Sequence, residues 1–202
     1  MKALKNYLCI NGKKTELNEK QLRQLGISVE PIATLTDGGK IAKIGEYDFI
    51  VLKNNGDTVE LLLKDTICDM KFDSNCNNFS DSDVRDYLDD FADKLSDIIG
   101  EDNIVEHKVD LTSDDGLKCY DSCDCRVSLL TAKMYRENVY TIDKYKIDKW
   151  WWLATAYSTP KHDCETWVKC VSPLGDVNFN NYYGEGGVRP FCILKSNIFI
   201  SK

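Results

Sequence analysis

The chain has 202 residues, of which 43% are hydrophobic and 29% are charged, and its formal net charge is −7. This composition is that of a globular protein, and the acidic balance argues against a nucleic-acid partner because phosphate binding needs a basic patch. No segment approaches the roughly 20 apolar residues of a membrane span, and no apolar stretch follows the N-terminus as in a signal peptide. We therefore expect a protein that is cytoplasmic or phage-associated.

Residues 1–30 are predicted to form a small hairpin-helix extension, joined by a linker at 31–39 to a main domain at 40–202. Two short apolar stretches flank Asn11-Gly12, a pair that tolerates the positive φ angles of a type I′ turn. This pattern predicts a hairpin at the start of the chain.

Further local signals extend to residue 63. Asn18 can cap a short helix over residues 19–25, and Gly26 can close it. A second hairpin is predicted at 47–63, with its turn at 54–57, because two apolar stretches flank a turn-forming sequence.

A longer helix is predicted next, with Ser80 or Ser82 as its N-cap. Acidic side chains in its first turns suit the helix dipole. These are Asp81, Asp83 and Asp86. The apolar positions that recur at helical spacing are Val84, Tyr87, Leu88, Phe91 and Leu95.

The second half of the chain is predicted to be mostly short strands and loops. Thr131 can cap a short helix that runs through Tyr135, and residues 113–116 form a loop. The mixed order of helices and strands predicts the α+β class. The predicted strands are 104–109, 127–130, 150–155, 166–171, 176–179 and 187–194.

Three adjacent tryptophans at 150–152 are the most informative feature of the sequence. Neighbouring side chains of a strand alternate between its faces, so this strand should be covered on both sides and lie centrally in the core. The polar, aromatic-rich segment 155–186 that follows is predicted to be a loop-rich recognition surface carried on that frame.

Five motifs in order resemble those of a family of uncharacterised bacterial and phage domains with Trp-Trp-Leu-Arg-Ser and Gly-Val-Arg-Pro sequences. The resemblance covers roughly residues 40–195. The chain departs from the family at Ala154-Thr155, in place of Arg-Ser, and at Phe191-Cys192. The matching residues are Ser82 to Leu88, Val127 to Thr131, Trp151-Trp152-Leu153, Val171-x-x-x-Gly175-x-Val177 and Gly187-Val188-Arg189-Pro190.

The resemblance implies a C-type-lectin-like fold, related to formylglycine-generating enzymes and to the variable proteins of diversity-generating retroelements. In those variable proteins, the strands and loops before the last strand display the ligand-binding residues. The family has no established biochemical activity.

Metal sites and catalysis are the less favoured alternatives. Nine cysteines without a secretion signal favour reduced thiols, and neither Cys119-x-x-x-Cys123-x-Cys125 nor the group of His162, Cys164 and Cys170 has the paired spacing of a zinc site. Asp176-x-Asn178-x-Asn180 begins like a calcium loop but lacks the later glycine and glutamate. We therefore predict no catalytic residues, no metal ligands and no cofactor.

The candidate site residues fall into two groups. Trp151, Trp152, Arg85 and Arg189 are predicted to be structural; a buried arginine at 189 needs a carboxylate or carbonyls, and a structural ion pair is favoured. Tyrosine and tryptophan offer contact area at little entropic cost, and asparagine offers adaptable hydrogen bonds. The predicted ligand-binding residues are Tyr157, Trp167, Asn178, Asn180, Asn181, Tyr182 and Tyr183.

These residues favour a non-enzymatic binding module that recognises a protein or a glycan through the 155–186 surface. A structural or assembly subunit of a phage or cell-surface particle is the alternative, and a metal-dependent or thiol enzyme is the third. The polar composition of the surface favours the first, because permanent interfaces are more apolar.

Overall fold

The computed structural model describes residues 6–10, 13–17, 19–24, 29–35 and 38–201. Strands and helices are both present within these ranges, which confirms the predicted α+β class. No helix in these ranges is long and apolar enough to cross a bilayer. The helices are α1 (Glu19–Gln24), α2 (Asp83–Ile99) and α3 (Ala132–Ile142). The strands are β1 (Asn6–Ile10), β2 (Lys13–Leu17), β3 (Val29–Pro31), β4 (Ile41–Ile44), β5 (Tyr47–Asn54), β6 (Thr58–Leu63), β7 (Cys68–Lys71), β8 (Ile104–Val105), β9 (His107–Asp110), β10 (Ser122–Cys125), β11 (Val127–Ser128), β12 (Trp151–Ala156), β13 (Trp167–Val171), β14 (Val177–Asn181), β15 (Glu185–Val188), β16 (Phe191–Lys195) and β17 (Phe199–Ser201).

Two main sheets organise the part of the chain that the structure describes. The large sheet has the order β11-β16-β6-β5-β4-β17-β3, with β8 also paired to β16. The small sheet has the order β14-β13-β12-β15-β7, and β12 and β15 are parallel within it. Two further ladders, β1-β2 and β9-β10, stand apart from these sheets.

The N-terminal hairpin is confirmed, since β1 and β2 pair antiparallel. The predicted turn at Asn11-Gly12, the cap Asn18 and the closing Gly26 lie outside the described residues. Within the segment predicted as a linker, Ile32 and Leu35 are buried in the core, and Ile32 N donates to Ile198 O at 2.9 Å. The end of β3 and the residues after it are therefore built into the large sheet.

The predicted hairpin at 47–63 is also confirmed. β5 and β6 pair antiparallel, and Asn55 N donates to Thr58 O at 2.9 Å across the turn. Gly56 has a φ angle of +88°, a left-handed conformation that glycine adopts without steric cost.

Helix α2 begins at the second of the two predicted caps. Ser82 Oγ accepts a hydrogen bond from Arg85 N at 3.2 Å, whereas Ser80 lies in the preceding short 3₁₀ turn. Gly100, with a φ angle of +87°, ends the helix. The apolar face is buried as predicted, although Tyr87 lies at its half-buried edge. The buried residues are Val84, Leu88, Phe91, Ala92 and Leu95.

Helix α3 has the predicted cap but a different end. Thr131 Oγ1 accepts from Met134 N at 3.2 Å, and the helix continues past Tyr135 to Ile142. Tyr135 and Ile142 are buried and Val139 is partly buried, so an apolar face at helical spacing supports the added turns.

Two predicted strands are shorter or divided. Of residues 127–130, only 127–128 pair in a sheet. The segment 104–109 forms β8 and β9, which pair with β16 and β10 respectively. A sequence pattern shows where a chain is extended but not when it changes its partner strand.

The predicted strand at 187–194 is likewise two strands in two sheets. β15 belongs to the small sheet and β16 to the large one, and Arg189-Pro190 connects them. Proline has no backbone N–H for a ladder, while Pro190 O accepts from Leu63 N at 2.8 Å. The Gly-Val-Arg-Pro motif is thus the crossing between the sheets.

The tryptophan strand is central, as predicted. β12 is the middle strand of the small sheet, and its side chains alternate between two core clusters, one packed against α2 and the other against α3. Trp152 packs against Phe72, with ring centroids 5.7 Å apart, and Trp151 packs against Tyr135 at 5.6 Å. Trp150 remains 43% exposed.

Candidate functional site

An exposed aromatic surface lies on one face of the β13-β14 pair. Lys169 is opposite Phe179 and Trp167 is opposite Asn181 in the ladder. Directly opposed side chains of an antiparallel pair project to the same face, so these four share one surface.

The other two predicted asparagines project to the opposite face. Asn178 lies opposite Cys170 and Asn180 opposite Val168, and both of those partners are buried in the core. Each asparagine Oδ1 accepts from the next residue's backbone N at 2.9 Å. Strand alternation therefore divides the four predicted ligand-binding residues of these two strands between two faces, with Trp167 and Asn181 on one and Asn178 and Asn180 on the other.

We call Tyr157, Trp167 and Phe179 the aromatic shelf. The Phe179 ring centroid lies 4.9 Å from that of Tyr157 and 5.4 Å from that of Trp167. Tyr157 and Phe179 remain 39% and 43% exposed, and Trp167 is half-buried. Three touching rings therefore stay accessible to solvent on one surface, a geometry that suits stacking.

A buried lysine supports the shelf. Lys169 Nζ lies 5.5 Å from the Tyr157 ring centroid and 5.8 Å from that of Phe179. Nζ also pairs with Asp114 at 3.1 Å, and Arg136 contacts the same carboxylate at 3.0 Å. Partial burial opposes ionisation of Asp114, but hydrogen bonds from Arg136 and Lys169 outweigh it and lower the pKa.

An acidic cleft adjoins the shelf. It has a volume of about 360 Å³, within the range of small-ligand sites. Tyr157 and Asp114 belong both to this cleft and to the shelf or its support, so the two features form one continuous surface. The residues that line the cleft are Asp114, Asp115, Tyr157, Ser158, His162 and Cys164.

Asp115 organises the polar groups of the cleft. Its carboxylate accepts from Ser113 Oγ and Ser158 Oγ at 2.5 Å and contacts His162 Nδ1 at 2.9 Å. The two serine hydrogen bonds, followed by that of His162, hold the Asp115 pKa well below its usual range. An ionised Asp115 selects the tautomer in which His162 Nδ1 carries hydrogen.

The cleft does not assemble a nucleophile with its base among the described residues. The Ser158 hydroxyl donates to Asp115 and so is not presented to His162. Cys164 lines the cleft, but its thiol makes no hydrogen bond to His162. The polar groups of the cleft are hydrogen-bond donors and acceptors fixed around Asp115.

The remaining predicted contact residues lie at the edge of this region. Tyr183 is 53% exposed, whereas Tyr182 is half-buried against the α2 core cluster. Their ring centroids are 5.2 Å apart. Asn181 Oδ1 is buried without a hydrogen-bond partner among the described residues. Tyr182 is therefore as much a packing residue as a surface residue.

The two predicted structural arginines are both held by several contacts. Arg189 is buried, and its Nε and Nη2 donate to Leu63 O and Lys64 O, each at 2.8 Å. The hydrogen-bond partners of Arg189 are backbone carbonyls, so the prediction of a structural ion pair at this residue is wrong. Arg85 does form an ion pair, with Asp89 at 3.0 Å.

Of the groups weighed as metal sites, Cys123 and Cys125 come together, with Sγ atoms 3.6 Å apart, but the other two groups do not converge. Cys170 lies on β13 with its side chain buried in the core, whereas His162 and Cys164 lie at the cleft. Asn178 and Asn180 lie on the extended strand β14 and not in a loop. Within the described residues, no group of three or more metal-ligating side chains is placed to hold an ion.

Sequence reasoning missed several residues of this surface. Phe179 stands between two asparagines, and strand alternation alone could have placed it with Trp167 on one face. Lys169, Asp114 and Asp115 carry no comparable signal, because their role depends on segments far apart in the chain that meet in the fold.

Comparison of the chain with protein-family models, with curated proteins and with solved structures gives no match. The class of protein follows from the structure alone: an α+β protein with an exposed aromatic shelf beside an acidic cleft. What this surface can bind must be inferred from its own side chains.

Proposed function

We propose that this chain is a non-enzymatic binding module with a C-type-lectin-like fold, and that it recognises a glycan through the aromatic shelf and the acidic cleft. The observation that carries the proposal is the exposure of Tyr157 and Phe179 as touching rings beside a polar cleft. Large exposed apolar surfaces with a polar rim are typical of binding sites.

The chemistry of a sugar matches both parts of this surface. A pyranose ring has an apolar C–H face that stacks on aromatic rings, and its edge carries hydroxyl groups. Asp115, Ser158 and His162 supply acceptors and donors at the cleft, and Tyr157 borders it. A sugar lying on the shelf would thus extend its hydroxyl groups into the cleft.

Preorganisation supports a binding role. Lys169 is buried under the shelf and held by Asp114, so Tyr157 and Phe179 rest on a fixed charge. Rings that are already ordered lose little conformational entropy when a ligand binds. This support also explains why aromatic side chains remain at the surface instead of collapsing onto the core.

The fold proposal has separate support. Helices α2 and α3 contribute to two core clusters shared by the sheets, and strands from both ends of the main domain, β4 and β17, pair in the large sheet. The motifs that carry the family resemblance, at 151–153 and 187–190, occupy the centre of the small sheet and the crossing between sheets.

A glycan array tests the function directly. The purified 202-residue chain is applied to the array, and the affinity for the best-bound oligosaccharide is measured by calorimetry. The variant Tyr157→Ala/Phe179→Ala should bind it more weakly by at least about 2 kcal/mol, as expected for central aromatic contacts. Tyr140→Ala, which removes an 88% exposed tyrosine on α3, is the matched control and should bind normally.

Two results would overturn the glycan proposal. One is the absence of any saccharide binding by folded protein. The other is unchanged affinity in the double variant. If a protein partner recovered from host extract is lost by the double variant but not by Tyr140→Ala, the shelf serves protein recognition instead. A partner unaffected by either change would bind another face and would argue against both uses of the 155–186 surface, as a ligand site and as a permanent contact of an assembly subunit.

A further inference from the structure

A pair of thiols lies apart from the shelf and cleft, on strand β10. Cys123 and Cys125 are two residues apart on the strand, so their side chains share one face. Their Sγ atoms are 3.6 Å apart. Both are free thiols; Cys125 is buried, at 1% exposure, and Cys123 is half-buried.

An arginine from helix α2 lies against this pair. Arg85 Nη1 donates to Cys125 Sγ at 3.0 Å, and Nη2 donates to Asp124 O at 3.1 Å. Arg85 Nε is fixed by Asp89 at 3.0 Å. Asp89 and the Asp124 carbonyl therefore hold the guanidinium beside the two sulfurs.

The charges around the pair favour a thiolate at Cys123. The hydrogen bond between the two sulfurs and the nearby Arg85 lower the pKa of Cys123, while burial and Asp124 oppose this effect. The pKa of Cys125 is raised by that same hydrogen bond and by burial. Cys123 is also the more exposed of the two, so it is the sulfur that an incoming disulfide can reach.

We propose that Cys123 and Cys125 form a redox-active dithiol that reduces low-molecular-weight disulfides and closes a reversible disulfide between its own two sulfurs. The proposal is independent of glycan binding. It rests on the paired sulfurs, their unequal exposure and the fixed guanidinium beside them.

The reaction has two exchange steps. The Cys123 thiolate attacks one sulfur of a disulfide R–S–S–R, forms the mixed disulfide Cys123–S–S–R and expels RS⁻. Cys125 then loses its proton, attacks Cys123 Sγ, forms the internal disulfide and expels the second RS⁻. The protein loses two electrons and two protons, and two RSH molecules form.

The strand geometry explains why the product should be reversible. Residues i and i+2 of a strand have Cα atoms roughly 6.5–7 Å apart, at the upper end of the range that a disulfide spans. Closing the bond therefore bends β10, and strained disulfides are reduced readily. Within the described residues, β10 is paired with β9 alone, in a ladder separate from the two main sheets.

The chain allows the product to be identified by mass spectrometry. Trypsin cleaves after Lys118 and Arg126, and the peptide between them contains Cys119, Cys123 and Cys125. The variant Cys119→Ser leaves only the proposed pair in this peptide. After incubation with glutathione disulfide and alkylation of free thiols, the peptide should be unalkylated and lighter by two hydrogen atoms. Dithiothreitol should restore it.

Single variants separate the two roles. Cys125→Ser should accumulate a stable glutathione adduct at Cys123, and Cys123→Ser should leave this peptide without an internal disulfide. Cys76→Ser, which removes a half-buried free thiol that belongs neither to the shelf nor to the cleft, should leave the exchange unchanged. Two free thiols after oxidation of folded Cys119→Ser protein would overturn the proposal, and so would a disulfide formed with another cysteine.

The role of Arg85 is tested by the pH dependence of alkylation. In Arg85→Gln, the rate at Cys123 should reach its plateau at higher pH, and each unit of pKa increase lowers the thiolate fraction about tenfold below that plateau. Arg126→Gln removes a neighbouring arginine that pairs with Asp93, and its profile should match that of the wild type. An unchanged profile in folded Arg85→Gln protein would remove Arg85 from the mechanism.

Discussion

The guanidinium of Arg189 lies over the indole of Trp151, with Cζ 5.0 Å from the ring centroid. Its nitrogens also donate to Leu63 O and Lys64 O, at the end of a strand in the other sheet. One side chain therefore joins the centre of the small sheet to the large sheet. Burial lowers the pKa of Arg189 to about 10, which reflects the cost of placing this charge inside the protein.

Arg189→Ala should lower the free energy of unfolding by about 3 kcal/mol, because it leaves buried carbonyl groups without donors. Urea denaturation measures the change. Arg136→Ala removes an arginine whose side chain is 55% exposed in its pair with Asp114, and it should cost less than about 1 kcal/mol. Equal stability of the Arg189 variant and wild type would show that the sheets do not depend on this side chain.

Trp152→Ala should destabilise the protein by about 3–5 kcal/mol, as expected for a large buried aromatic side chain. The residue is fully buried, and its Nε1 donates to Met70 O at 3.0 Å. Trp150→Ala is the matched control within the same tryptophan triplet; because Trp150 is 43% exposed, it should cost less than about 1 kcal/mol. Thermal and urea unfolding measure the stability of both variants. A larger loss of stability in Trp150→Ala than in Trp152→Ala would contradict the prediction.

Gly186→Ala should destabilise the protein by about 1–3 kcal/mol through overpacking. A Cβ atom at Gly186 would lie 2.6 Å from Trp152 Cε2, so the indole or the strand would have to move. In a Trp152→Phe background the smaller ring should remove much of this cost. A double-mutant cycle measures the coupling, and additive effects would mean that the glycine is needed for another reason.

The protein should lose stability as the pH falls below about 6.5, because of His107. Burial lowers its pKa below the ordinary value of 6.5. The unfolded chain therefore takes up a proton before the folded protein does, and stability falls as pH decreases through this window, by at most about 1.4 kcal/mol per pH unit. The free energy of unfolding is measured at intervals of roughly half a pH unit between about pH 7.5 and pH 5. Its slope against pH should be smaller in His107→Gln.

His162→Gln is the matched control, because it removes the other histidine of the sequence and keeps His107. Its free energy of unfolding is measured over the same pH range. His107 Nε2 lies 2.9 Å from Ser128 Oγ, so His107→Gln needs a stability reference at neutral pH. If the two variants have the same pH dependence, burial of His107 is not its source.

The sequence by itself determined the local elements. Ser82 and Thr131 mark the starts of α2 and α3, because their hydroxyl groups accept hydrogen bonds from the backbone N–H groups of the first helical turn. This is a short-range effect. The placement of Trp151 and Trp152 on opposite faces follows from the geometry of any strand. The α+β class followed from the order of these elements.

The tertiary structure decided how distant segments meet. Arg189-Pro190 divides one extended segment between two sheets, and Lys169 reaches Asp114 across more than fifty residues of sequence. The shelf exists because Tyr157 and Phe179 come together above that ion pair. Such contacts depend on the packing of the whole chain, whereas caps, turns and strand alternation depend on neighbouring residues.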